Sequence, residues 1–204
     1  MKYEYGGTEY EGTDFYCYPN TKVLMNRFDI REQDKLSSVE REITFAKTFY
    51  MQANPFKGAL DLKYLQKIHK FIFEDVYTWA GLLRGGGGFM YKGDAMFCRA
   101  DLIITYADSV FGKLRNEKWL RGLDRAAFIE RLAYFMGEVN ALHPFREGNG
   151  RTQRAFFQEL THRAKYDLDF GKVDGSELLQ ADIDAYNKDF VPLISLLNTM
   201  VTKL

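Results

Sequence analysis

The chain has 204 residues, of which 46% are hydrophobic and 16% aromatic. That is enough for one domain with a well-filled core. Lys plus Arg and Asp plus Glu stand at 28 each, and this balance gives no electrostatic ground for a nucleic acid or a membrane surface as partner. The two cysteines, Cys17 and Cys98, lie far apart without a partner motif. They argue against a disulfide framework and a zinc site, and fit a reducing compartment.

The first 20 residues, rich in Gly, Tyr and Glu, have one basic residue in the opening MKYEYGGTEYEGTDF and no apolar segment. They read as an arm over residues 1–17 and not as a signal peptide. No apolar run approaches membrane-spanning length, so the expectation is a soluble protein made in a cytoplasm.

From there the pattern is helical. Val39, Ile43, Ala46 and Tyr50 follow a 3.6-residue period, stopped by Asn54-Pro55. REQDK at 31–35 before them reads as a solvated turn or helix start. Leu62, Leu65, Ile72 and Phe73 mark a second helix behind Asp61 as N-cap. Ile103, Tyr106, Val110 and Leu114 mark a third, with Asp101 near its start. Asp124 opens a fourth whose Phe128, Leu132, Phe135, Val139 and Leu142 run along one face, apolar enough for a central helix. A fifth begins near Arg151 and carries Phe156, Phe157, Leu160 and Ala164; one or two shorter helices follow between Ser176 and Thr202. Arg84 to Cys98, RGGGGFMYKGDAMFC, resists helix because of four successive glycines, and its Lys92-Gly93-Asp94 segment predicts a hairpin turn. The expected fold is all-α with one small β element.

Residues 143–154 read HPFREGNGRTQR. Pro144 pushes His143 out of the α region and so ends the fourth helix near Leu142, which makes HPFREGNG the loop into the fifth. Its tail is a helix N-terminus, where amides without intrahelical partners favour anions. Gly148 and Gly150, on either side of Asn149, let the backbone approach a phosphate. Arg151 and Arg154 lie one turn apart and can face one anion. Glu147 would repel that anion unless a hard cation stood between, and Mg²⁺ held by one carboxylate plus substrate phosphates is the usual arrangement. His143 can accept the proton of an incoming hydroxyl. Together these parts describe a metal-assisted phosphoryl or nucleotidyl transfer site. The bland readings fall elsewhere: His69 is structural, His162 solvated, Phe145 a core anchor, Cys98 a small buried residue, and Phe71, Phe73, Tyr77 and Trp79 packing.

The stretch resembles the signature of Fic domains, H-x-F-x-(D/E)-G-N-G-R-x-x-R, with every specified position matched. YPNT at 18–21, LQKIHKFIFEDVYTWAG at 65–81, FCRADLI at 97–103 and RGLDRAAFIERLAY at 121–134 are also similar to Fic segments. The likeness covers roughly residues 18 to 190 and is greatest to the Fic domains of type IV-secreted Bartonella effectors and their conjugation-toxin relatives. It implies a Fic fold over 18–204, a helical bundle whose central helix–loop–helix carries the active site, and transfer of AMP from ATP to a Tyr, Thr or Ser hydroxyl of a target protein. By that resemblance His143 deprotonates the hydroxyl and Glu147 holds Mg²⁺. Gly148, Asn149 and Gly150 cradle the phosphates, with Asn149 at the α-phosphate, and Arg151 and Arg154 bind the β- and γ-phosphates. Residues 84–98 correspond to the flap that holds the target as an added strand, with Arg84, Lys92 and Asp94 as target contacts. The target implied is a host small GTPase or a bacterial topoisomerase-type protein.

Two departures qualify this. Gly85 to Gly88 replace the β-branched run of many relatives, which weakens strand pairing. The inhibitory motif [ST]-x-x-x-E-[GN], whose glutamate pairs with the second motif arginine in the family, has its nearest match at Ser38 to Glu42, but Ile43 follows. The implied regulator is then a small antitoxin acting in trans. The rivals are a Fic-fold enzyme with another nucleotide or phosphate-group donor, against which Gly150 stands where a kinase-type relative has lysine, and a non-catalytic interaction module. If the chain is part of a secreted effector, its final place is the host cell cytoplasm.

Overall fold

The computed structural model describes residues 8–10, 15–85, 90–92 and 95–204. Among these described residues there are seven α-helices: α1 (Gln33–Ala53), α2 (Leu62–Phe73), α3 (Ile103–Asn116), α4 (Arg125–Leu142), α5 (Asn149–Arg163), α6 (Gly175–Tyr186) and α7 (Val191–Met200). Two starts are fixed locally. Asp61 accepts from the Tyr64 amide and Asp124 from the Ala127 amide, each at 2.9 Å, meeting one of the orphan donors of the first turn.

Helix α4 is the central one. Phe128, Leu132, Phe135, Val139 and Leu142 are all buried, and so are Ile129, Ala133 and Met136 on its flanks. A helix apolar on nearly every side must be packed on nearly every side, and α4 contacts α3, α5, α6 and α7. Helix α5 packs on both α4 and α2, and the loop joining α4 to α5 is anchored in the core by the buried Phe145.

Helix α1 departs from the expected orientation. Its buried residues are Leu36, Glu40, Thr44 and Met51, whereas Tyr50 is exposed and Val39 and Ile43 are only half-buried. The face chosen by hydrophobic period is thus not the face that packs, because a glutamate and a threonine are turned inward.

The expected hairpin is present as β2 (Met90–Lys92) and β3 (Ala95–Met96), antiparallel, with Tyr91 opposite Met96. Residues 86–89 and the turn residues Gly93 and Asp94 lie outside the described residues, and with them the expected target contact at Asp94. The N-terminal arm adds a third strand, β1 (Thr8–Tyr10), which pairs with the outer edge of β2 and places Thr8 opposite Lys92 and Tyr10 opposite Met90. A second ribbon, β4 (Tyr166–Leu168) with β5 (Val201–Lys203), ties the end of α5 to the C-terminus. Neither β1 nor this ribbon follows from local pattern. Among the described residues no helix is long and apolar enough to cross a membrane.

Candidate active site

His143 caps α4 with φ 41° and ψ 60°. The expectation that Pro144 would force it out of the right-handed region holds, but it enters the left-handed region and not the extended one. Such a conformation is costly for a residue with a Cβ and persists where surrounding contacts fix it. Here those contacts are visible. The imidazole stacks on Phe97, ring centroids 3.6 Å apart, and the His143 carbonyl accepts from Arg84 Nε at 2.8 Å.

Arg84 is 2% exposed. Besides the His143 carbonyl, its Nη2 donates to the Cys98 carbonyl, and its amide donates to the Pro144 carbonyl at 2.8 Å. The Cys98 amide in turn donates to the Ala141 carbonyl at 2.9 Å. Arg84 therefore fastens both ends of the flap to the end of α4. Its guanidinium is buried between the His143 and Cys98 carbonyls, which gives Arg84 a structural part in anchoring the flap.

The loop 143–149 is braced from within. Asn149 is 3% exposed; its Oδ1 accepts from the Phe145 amide at 2.9 Å and its Nδ2 donates to the Phe145 carbonyl at 2.7 Å. An asparagine holding both main-chain groups of one residue defines the loop, and its Nδ2 keeps a second N–H beside the one given to Phe145. His69, fully buried, holds the loop from below. Its Nδ1 accepts from the Gly81 amide at 2.7 Å, so its Nε2 carries the proton and donates to the Glu147 carbonyl at 2.9 Å. Burial lowers its pKa to about 4, against the pull of the bond to the Glu147 carbonyl and helped by the Arg151 charge. His69 therefore stays neutral and keeps this one tautomer, with its ring stacked on Phe145 at 3.9 Å.

Helix α5 starts two residues earlier than expected, with Gly148 as N-cap at φ 82°. Two constraints meet there. The left-handed backbone favours glycine, and an added Cβ would overlap the Phe73 ring. Gly148→Ala is expected to destabilise the fold by about 2–4 kcal/mol, from overpacking plus backbone strain. The midpoint of denaturant unfolding at constant m checks this; a change under about 0.5 kcal/mol would show that the loop relaxes around the methyl group.

The earlier start puts Gly150 in the first turn, exposed to solvent, where the absence of a side chain leaves the helix N-terminus open to an anion. Arg154, also exposed, stands on the same side. Arg151 does not. Its Nη2 contacts Glu40 Oε1 at 2.6 Å and its Nη1 donates to Thr44 Oγ1 at 3.1 Å. Its guanidinium lies over the Phe73 ring at 4.6 Å. The expected pair of phosphate-facing arginines is thus divided: Arg154 looks outward, while Arg151 joins α5 to α1.

Glu147 lies 3.5 Å from Arg151 Nη2 and accepts from the Gly148 amide at 2.8 Å. Burial raises its carboxyl above the ordinary range, Arg151 opposes this, and Glu40 adds to it. No group of three or more His, Cys, Asp or Glu residues able to hold a metal occurs among the described residues. A single carboxylate fits Mg²⁺, which keeps several waters and takes its remaining ligands from substrate phosphates.

A cleft of about 400 Å³ opens beside the loop, lined by Asn140, His143, Gly150, Arg154, Phe157 and Leu178 among others. The structure therefore brings His143, Gly150 and Arg154 together on one wall. It adds Glu40, Thr44, His69 and Phe97 as residues that hold the site, of which sequence reasoning had only His69 as structural. The available signal for Glu40 was its spacing: Leu36, Glu40 and Thr44 sit four apart, and Met51 closes the same stripe.

Residues 59–161 match the model of the Fic/DOC family. The chain is 40% identical over 179 residues to "Protein adenylyltransferase VbhT" of Bartonella schoenbuchensis, covering 87% of this chain and 37% of that protein. It is 33% identical to "Probable protein adenylyltransferase Fic" of Escherichia coli over 95% of this chain and 94% of that one. Among solved structures it resembles the Fic domain of a VirB-translocated Bep effector from Bartonella quintana with bound ADP, at TM-score 0.86 and 27% identity, covering 92% and 94% of the two chains. The BepC protein of Bartonella tribocorum with bound AMPPNP superposes at TM-score 0.85 and 25% identity, covering 93% and 97%.

Proposed function

The chain belongs to the Fic/DOC family, and from that premise we propose that it is a protein adenylyltransferase, moving AMP from ATP to a hydroxyl side chain of a target protein. The observation that carries this reading is the common wall of the cleft, where a histidine, an open helix N-terminus and an outward arginine face one space. The target hydroxyl oxygen attacks the α-phosphorus while the His143 imidazole takes its proton. The bond from the α-phosphorus to the bridging oxygen breaks, and pyrophosphate leaves with the electron pair. The amides at the start of α5 and the Arg154 guanidinium stabilise the charge that develops on the phosphates. Glu147 is the residue that would hold Mg²⁺, which supplies neutralisation of the phosphate charge when bound. Support for ATP as substrate comes from the relatives' names and from the ADP and AMPPNP in the neighbouring structures.

The target docks on the flap by strand addition, with Lys92 at the turn end of β2 as a contact. It is a host small GTPase or a bacterial topoisomerase-type protein, and the chain's working location, host or bacterial cytoplasm, follows it. An inhibitory helix supplied in trans by a small antitoxin is the regulator consistent with α1: Glu42 of the partial motif is exposed, and the helix reaches the loop through Glu40 and Arg151 instead.

The test is label transfer with Mg²⁺ in bacterial and mammalian lysates, from α-³²P-ATP against γ-³²P-ATP. Label from the α position alone is expected. Label from the γ position would replace this reading by phosphorylation. No label from either, without a co-purifying inhibitor, would replace it by a binding module.

A further inference from the structure

The flap sheet has two outer edges, and the chain itself occupies both. Strand β1 covers the far side of β2. On the other side, the Phe97 amide bonds to the Met90 carbonyl at 3.0 Å, which makes the neighbouring opposed residues, Tyr91 and Met96, a non-hydrogen-bonded pair. The amide and carbonyl of Met96 therefore point away from β2, along the edge where another strand would add. Both are taken by one side chain: the Met96 amide donates to the Tyr186 hydroxyl at 3.1 Å, and that hydroxyl donates to the Met96 carbonyl at 2.6 Å. Two residues on, the outward groups of Cys98 are held by Ala141 and Arg84.

We propose that Tyr186 is a placeholder on the flap, its hydroxyl occupying the main-chain groups of Met96 that a docked target segment takes over. The proposal rests on the reading of the chain as a target-modifying enzyme. Proximity favours this edge over that of β2. Strand β3 runs directly into Phe97, whose ring stacks on His143, whereas a chain added beyond β2 would stand a further strand spacing, about 4.8 Å, from the base. Displacement favours it as well. An incoming strand on the β3 side replaces one hydroxyl, but on the β2 side it must strip off a paired strand. Until then Tyr186, at the end of α6 on the cleft rim, blunts an edge that would otherwise pair with any extended chain.

The full chain and its Tyr186→Phe variant are to be compared with α-³²P-ATP and Mg²⁺ across a dilution series of the lysate in which the wild type labels a band. Removing the competing hydroxyl is expected to lower the half-saturating lysate concentration by about 3- to 10-fold, the factor that one hydrogen bond of ordinary net strength represents. The KM for ATP is expected to stay within a factor of about two. Tyr186→Leu, lacking ring and hydroxyl, is to shift half-saturation in the same direction. Unchanged or raised half-saturation overturns the placeholder and leaves adenylylation standing. So does a moved KM for ATP, which would assign Tyr186 to the nucleotide. No labelled band with the wild type removes the functional reading and the placeholder with it.

Discussion

His143→Ala is expected to reduce AMP transfer by about 10²–10⁴-fold, the range for loss of a positioned general base. The effect should fall on kcat with the KM for ATP little changed, because Gly150 and Arg154, the groups proposed to meet the phosphates, belong to α5 and do not depend on the imidazole. The fold should survive. His143 is half-buried, and the contacts that set its backbone run through its carbonyl, which Arg84 holds in the variant as well. Alanine does lose the stack on Phe97, worth about 1 kcal/mol, so a small fall in Tm should accompany the loss of activity. A variant that keeps more than about a tenth of the wild-type rate would show that another group or water takes the proton, and the role of His143 would reduce to positioning Phe97 and the flap.

The left-handed backbone at His143 is part of the same design. A helix continued through this position would carry the side chain around the α4 axis toward the core. The reversal at φ 41°, fixed by Pro144 after it and by Arg84 over it, turns the ring toward the cleft. Buried side chains thus impose the conformation of the residue proposed as the base, the usual relation between strain and a site.

What could be read from sequence divides along the range of the interactions. Asp61 and Asp124 were legible as caps because a cap is decided within three residues. Leu142 was legible as the last residue of α4 because Pro144 acts on its neighbours. The orientation of α1 was not legible: its buried Glu40 answers Arg151, 111 residues away, and a rule that buries apolar residues necessarily turns that face outward. Nor was β1, since a three-residue strand has no period of its own and exists only through pairing with β2. In the motif itself the residue types were legible and their directions were not. Asn149 and Arg151 match the family signature letter for letter, yet both face inward, and only the contacts of Phe145, Glu40 and Thr44 show it.

Glu40→Ala is expected to cost about 3–5 kcal/mol of stability, the range for removing one partner of a buried ion pair. Glu40 is 4% exposed; one carboxylate oxygen takes Arg151 at 2.6 Å and the other takes the Tyr77 hydroxyl. In the variant the guanidinium, itself little exposed, keeps the Thr44 hydroxyl at 3.1 Å and the more distant Glu147 at 3.5 Å, and Tyr77 keeps a buried hydroxyl without its acceptor. A lower midpoint of denaturant unfolding at unchanged m is the measurement. The double variant Glu40→Leu with Arg151→Met separates the charge from the packing. It removes the Glu40–Arg151 pair, though Glu147 loses the Arg151 charge and Tyr77 its acceptor, and should recover part of the loss. If it is as unstable as Glu40→Ala, the packing of α1 on α5 carries the energy instead. A loss under about 1 kcal/mol in the single variant would mean that Arg151 is free to leave α1, and the arginine would then return to consideration as a second phosphate ligand beside Arg154.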